Sequence, residues 1–224
     1  MFYNPSYLLL VVVSLVLGLA TQSYINRTYK KWSRVPAATG ETGAEVARRM
    51  LVSEGASDVG ITSVAGTLTD HYDPRDNMLH LSNDNLRGGS VASVAVACHE
   101  AGHAVQRAQG YAPMKVRSAL VPVVNLASNF WMVVFFAGVL MSAVGLIRLA
   151  IFRFAFSVLF QLVTLPVEFD ASSRAVAYIR SSGMGEQAVR GARQVLTAAA
   201  LTYVAGALVS ILQLVYLLGF SRDE

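Results

Sequence analysis

The sequence is poor in charge, in cysteine and in histidine. Only 14% of its 224 residues are Asp, Glu, Lys or Arg, where soluble domains carry about a quarter, and 54% are hydrophobic. That imbalance excludes a purely water-soluble globular protein, and a disordered chain would need the opposite bias. The single Cys98 excludes an internal disulfide framework. The 6 prolines and 17 glycines follow no triplet period, so a collagen-like rod is excluded as well. The formal net charge of +4 is small and calls for no nucleic acid partner.

Uninterrupted apolar sequence is what the chain has in abundance. No charge precedes Arg27, and the stretch Tyr7 to Tyr24 is long enough to cross the hydrocarbon core as a helix, which predicts a transmembrane segment over 7–25. A cleaved signal peptide has its positive charges ahead of the apolar run. Here Arg27, Lys30, Lys31 and Arg34 follow it, so the segment is expected to stay as an anchor. A second uncharged run covers 118–147, and a third, 154–167, extends back past Arg153 to Leu149. Together they predict a membrane hairpin over 118–167 that turns near Arg148 and Arg153. A last run predicts a fourth span over 195–220. Of the 18 Lys and Arg residues, 15 lie in 27–117 and 174–193, which the positive-inside tendency places on the cytoplasmic face. The expected protein is multi-pass in the cell membrane, mainly α with a small β element. It has about four transmembrane helices, a cytoplasmic domain over 38–117 and a cytoplasmic helical segment over 168–194.

Within 38–117 the composition is that of a globular domain. Thr42 with Glu45 forms a capping box, and Ala47, Met50 and Leu51 repeat at helical spacing until Gly55, predicting a helix over 43–54. Val59, Ile61 and Val64 predict a short strand. After the turn residues Asp73, Pro74, Arg75, Asp76 and Asn77, the run Met78 to Leu81 predicts another. From Ser90 as N-cap to Gly110 past the end there is no breaker, so a helix of about 19 residues is expected there.

That helix contains His99, Glu100, Ala101, Gly102 and His103, an H-E-x-x-H pattern. Four residues advance a little more than one helical turn, so both imidazoles lie on one face and can take two corners of a zinc tetrahedron. Glu100 points to the flank, where it can hold a water against the ion and take its proton as general base. With 4 histidines and 7 glutamates in the chain, the pattern is expected by chance about 0.002 times. Gly102 costs a helix interior about 1 kcal/mol relative to Ala, which suggests that another chain segment approaches closely there. A catalytic zinc needs a third protein ligand and one open position. The candidates are His71, His80, Asp70, Asp73, Glu168 and Asp170. Glu168 is favoured because it directly follows an apolar run ending near Pro166 and would begin a new helix, at the level where the two-histidine helix leads into the second span. Asp170, two positions on, would face away. Cys98 is expected to pack in the core, and Arg107, Lys115 and Arg117 to anchor the membrane border.

The His99 to His103 run, the Leu68 to Pro74 stretch, the Gly43 to Arg49 helix and the Pro166 to Ser172 segment together resemble the YugP-like family of neutral membrane zinc metallopeptidases, over nearly the whole chain. The layout is also similar to HtpX-type proteases, in which a membrane hairpin separates the two-histidine helix from a Glu ligand. The resemblance implies a gluzincin-like metalloendopeptidase holding Zn2+ through His99, His103 and Glu168. In those proteases an Asp four residues after the Glu supports a ligand. Here that position is Ser172, whose hydroxyl can donate or accept one hydrogen bond to support a ligand from behind. By analogy with zincins, the strand Leu79 to Leu81 would offer its free edge to an extended protein substrate, and His71 or Tyr72 would help stabilise the oxyanion. The implied partners are a membrane-associated protein or peptide substrate, the lipid bilayer, and a regulatory membrane protein or a second copy. Two alternatives remain at this level: a non-proteolytic zinc scaffold with a closed fourth position, and a hydrolase of a lipid or small amide.

Overall fold

The computed structural model describes residues 5–128 and 130–220, and the chain is mainly helical with one small sheet. It divides into two compact units. One comprises Met1–Thr21, Lys115–Leu165 and Thr202–Glu224, the other Gln22–Met114 and Pro166–Leu201.

The second of these units starts in the C-terminal part of helix α1 (Pro5–Trp32) and continues through α2 (Gly43–Ser53), β1 (Gly60–Val64), β2 (His71–Asp73), β3 (Met78–Ser82), α3 (Asn83–Arg87) and α4 (Val91–Ala108). It is completed by the second part of α7 (Val144–Ser181) and the first part of α8 (Gly185–Phe220). Both predicted caps form. The Thr42 hydroxyl accepts from the Glu45 N–H while the Glu45 carboxylate accepts from Thr42, and the Ser90 hydroxyl accepts from the Ser93 N–H at 3.1 Å. The core gathers Val46, Met50 and Leu51 of α2, Leu79 and Leu81 of β3, the buried face of α4, and Val167, Ala175 and Ile179 of α7.

The sheet order is β1-β3-β2. β3 runs parallel to β1, with Ile61 opposite Leu79, and antiparallel to β2, with His71 opposite His80. This corrects the expected substrate edge. The strand Leu79 to Leu81 is central, and both its edges are taken. The turn at Asp73 to Asn77, with Asn77 left-handed at φ 57°, folds His71–Asp73 back onto it as a hairpin partner. Three residues without alternation were too short to read as a strand. Asp70, just before β2, does not cap that turn. Its Oδ1 accepts from the Ser82 N–H at 2.7 Å and its Oδ2 from the Asn85 side-chain amide at 2.8 Å, locking the hairpin to α3.

The other unit holds α5 (Ala112–Ser128) from Lys115 onward, α6 (Trp131–Leu140), and the remaining parts of α1, α7 and α8. Its core gathers Phe135, Ile147, Ile151, Phe154 and Leu217, with the Trp131 and Phe154 rings 4.7 Å apart. On α1, Leu8, Leu9, Val12, Leu15, Val16 and Leu19 are all exposed, a contiguous apolar surface that water does not favour. Among the described residues three helices, α1, α7 and α8, are long and apolar enough to cross a membrane, not the four spans expected. The uncharged 118–147 run is broken. Phe130 is left-handed at φ 88° and Ser142 at φ 50°, so α6 is a separate helix of only 10 residues. Absence of charge reports solubility in lipid and says nothing about helix continuity.

A second correction concerns Glu168. It does not begin a helix, because α7 runs 38 residues through Pro166. A mid-helix proline costs about 3 kcal/mol. Against that, Val167, Ala171 and Ala175 are fully buried in one stripe that closes the core beside α4.

Replacing Asp70 with Ala would strand the N–H of Ser82 and the amide of Asn85, both fully buried. Chemical denaturation is expected to show a loss of about 2–3 kcal/mol.

Candidate metal centre

α4 carries His99 and His103 one turn apart, and α7 crosses it close by at Gly102. A Cβ built on Gly102 would stand 2.8 Å from the carbonyl oxygen of Ala171, so only hydrogen fits between the two backbones. This is the close approach that a glycine inside the motif suggested. One turn before Ala171 on α7, Glu168 is thereby brought over both imidazoles.

The ligand atoms of His99, His103 and Glu168 all lie within 4.8 Å of one another, and among the described residues no fourth His, Cys, Asp or Glu joins them. Glu168 Oε2 is 3.3 Å from His99 Nε2 and 3.5 Å from His103 Nε2. Ligand atoms at about 2.0–2.2 Å from a tetrahedral zinc stand roughly 3.3–3.5 Å from each other, so the spacing suits that ion. The proton positions agree. Gln106 Nε2 donates to the Val167 carbonyl at 2.7 Å and to Asp170 Oδ2 at 2.8 Å, both obligate acceptors. Its Oε1 therefore faces His103 Nδ1 at 3.0 Å, which makes Nδ1 the protonated nitrogen and leaves Nε2 with its lone pair toward Glu168. Two acceptors face each other there unless a proton or a cation stands between them, and a single proton cannot serve three convergent ligand atoms. The residues present fit a zinc ion.

Around this group lie its supports. The Ser172 hydroxyl is 3.2 Å from His99 Nδ1. Asp170 faces away from the ligand group, yet it reaches His103 indirectly, because its Oδ2 also accepts from Arg174 Nε at 2.5 Å and so fixes Gln106. Glu100 is buried, and its Oε2 accepts the backbone N–H of Tyr72 at 3.1 Å, which ties it to edge strand β2. Burial pushes the Glu100 carboxyl up to about 7, opposed by His99 and reinforced by Glu168 and Asp70. Cys98 is fully buried and its thiol is pushed up to about 12 by burial, as an inert packing residue.

The remaining candidates lie outside the group. His71 is exposed on β2, with Nδ1 2.9 Å from the Thr69 carbonyl and its ring stacked on His80 at 4.7 Å between centroids. His80 pairs instead with Asp76 at 2.8 Å, and Asp73 with Arg75 at 2.6 Å. Arg107 donates to the Pro74 carbonyl in the β2–β3 turn.

The model of a family described as "Putative neutral zinc metallopeptidase" matches residues 7–222. The chain belongs to this family. A curated relative, "Putative membrane protease YugP" of Bacillus subtilis (strain 168), is 44% identical over 209 residues, 93% of each chain. No solved structure matches the chain.

For this member of the zinc metallopeptidase family, two supports of the centre escaped sequence reasoning. Gln106 sits one turn after His103, and that spacing could have flagged it as a side chain able to reach the second imidazole. The Tyr72 N–H could not have been found, because a backbone donor has no residue type to read.

Gly102→Ala should gain helix propensity but force α4 and α7 apart. We expect a net loss of about 1–3 kcal/mol in thermal unfolding, together with weaker zinc binding. Gln106→Leu frees the His103 tautomer, and competition with a chromogenic chelator should show zinc affinity reduced about 10–100-fold.

Proposed function

We propose that this chain is a membrane-embedded zinc metalloendopeptidase working at the cytoplasmic face of the cell membrane, with His99, His103 and Glu168 as its metal ligands. The observation that carries the reading is the convergence of two imidazole nitrogens and one buried carboxylate, flanked by a second carboxylate, Glu100, that is not part of the group. Zinc held there supplies a Lewis acid that polarises a peptide carbonyl and acidifies a water.

Glu100 then acts as the base. One of its oxygens is held by the Tyr72 N–H, so the other takes the proton from water as the water oxygen bonds to the carbonyl carbon. The same carboxyl passes that proton to the amide nitrogen as the C–N bond breaks, giving an amine and a carboxylic acid, whose proton then moves to the amine to leave a carboxylate and an ammonium group. Burial suits this exchange, because a carboxyl lifted toward neutrality can both accept and return a proton. Ser172 and Gln106 orient the two imidazoles.

His71 has a lesser part in this reading. The Thr69 carbonyl accepts from Nδ1–H, so Nε2 of the neutral ring is an acceptor, and the side chain can steady an oxyanion only as imidazolium. The substrate is an extended segment of a membrane-associated protein, and the outer edge of β2 is the strand edge nearest the base. The orientation rests on the bias of Lys and Arg toward residues 27–117 and 174–193.

Glu100→Gln is expected to keep one zinc per chain by metal analysis while cleavage of an unfolded reporter protein in detergent falls at least about 1,000-fold. His99→Ala should lose both the metal and the activity, and His71→Ala should lose less than about tenfold. Equal proteolysis by Glu100→Gln and the parent would sink the reading.

A further inference from the structure

A groove of about 340 Å³ runs along α7 and α8 within the unit that holds the metal centre. Phe169, Ser172, Val176 and Arg180 recur at helical spacing along one wall, and Arg193, Leu196 and Ala200 along the other. Ser172 belongs to both features, since the side chain that lines the groove also touches His99 Nδ1 at 3.2 Å. Of the three ligand side chains His99 is the most accessible, at 12% against 8% for His103 and 3% for Glu168. Phe169, next to Glu168 in sequence, presents a half-exposed aromatic face at this end.

The far end has a different chemistry. Arg180 and Arg193 line it, and no carboxylate lines the groove. Among the described residues neither guanidinium is held in an ion pair. Arg190 adds a third cation in the adjoining depression, where Glu186 is the one acid. Arg180 lies eight residues beyond Ser172, about 12 Å along the helix. An extended peptide covers that in roughly three to four residues. The competing hold on a substrate is meagre, because β2 is three residues long and its Tyr72 N–H is already given to Glu100.

We propose that this groove is the specificity subsite of the metal centre. It takes an extended protein segment with a large apolar side chain beside the scissile bond and an Asp, a Glu or a terminal carboxylate three or four residues farther along. The apolar side chain packs on Phe169, Val176 and Leu196, and the carboxylate pairs with Arg180 and Arg193, whose forked donors match it. This rests on the metallopeptidase reading, and the test separates the two.

The zinc-loaded full-length protein in detergent micelles carries both arms. In the first, Glu100→Gln binds fluorescent decapeptides with a central Leu and either Glu or Lys placed four residues away, followed by fluorescence anisotropy. The Glu peptide should bind at least tenfold more tightly. Adding Arg180→Glu and Arg193→Glu should reverse the preference, and because both side chains are exposed, zinc content and melting temperature should be unchanged. In the second arm the same peptides are offered to protein with Glu100 intact, and cleavage rates should follow the same order and the same reversal. Charge-dependent binding without any cleavage would remove the hydrolytic reading and leave the groove standing as a binding site. Cleavage that ignores the charge reversal would remove the groove and leave the hydrolytic reading. The proposal is also overturned if the double substitution spares peptide binding and weakens only association with phosphatidylglycerol micelles, since the groove would then belong to a lipid headgroup.

Discussion

Everything at the candidate metal centre depends on the contact between two backbones, α4 at Gly102 and α7 at Ala171. Helices in proteins pack with axes 8–10 Å apart when side chains separate them, and a glycine at the crossing permits the closer end of that range. With only a hydrogen at Gly102, the carboxylate one turn earlier on α7 reaches imidazoles that themselves stand one turn apart on α4. A methyl group at that position would open the gap by a few tenths of an ångström. Coordination distances tolerate little more than that. The fully buried stripe of Val167, Ala171 and Ala175 holds the crossing closed, and small side chains at two of these three positions let the helices touch.

The electrostatics follow from the same burial. A carboxylate almost without solvent, set against two imidazoles with the facing nitrogen of His103 an acceptor, is an arrangement that folding alone disfavours. The protein sustains it with neutral hydrogen bonds: Gln106 is fixed by Val167 and Asp170 and in turn fixes His103, and Ser172 contacts His99. Glu100 is treated differently. It is kept out of the ligand group by a backbone donor from β2, and burial lifts its affinity for a proton. Two buried glutamates thus receive two environments, one suited to a metal and one to a proton.

Several parts were open to reading from the sequence because their signals are local. The capping box at Thr42 and Glu45, the N-cap at Ser90, the helix carrying His99 to His103 and the apolar runs all depend on residues within one or two turns of each other. The failures have physical causes of another kind. The 118–147 run carries no charge, yet its helix breaks at Phe130 and Ser142, because backbone continuity is set by packing and not by hydropathy. Pro166 looked like a helix boundary, and the buried stripe that follows it carried α7 straight through. Leu79 to Leu81 has the pattern of a strand but not its place in the sheet, and the three residues that cover its edge are too few to leave a period.

By itself, then, the sequence determined which atoms could bind a metal and which helix would present two of them, because i to i+4 geometry follows from the chain alone. It also determined that long stretches of this chain cannot be settled in water. Only the tertiary structure decided which of six candidate side chains joins the two imidazoles, which nitrogen of His103 carries the proton, and which strand holds Glu100. Those outcomes are set by contacts between segments far apart in the chain, such as His99 and Glu168, 69 residues apart, and the relative placement of such segments is fixed by packing that no local pattern encodes.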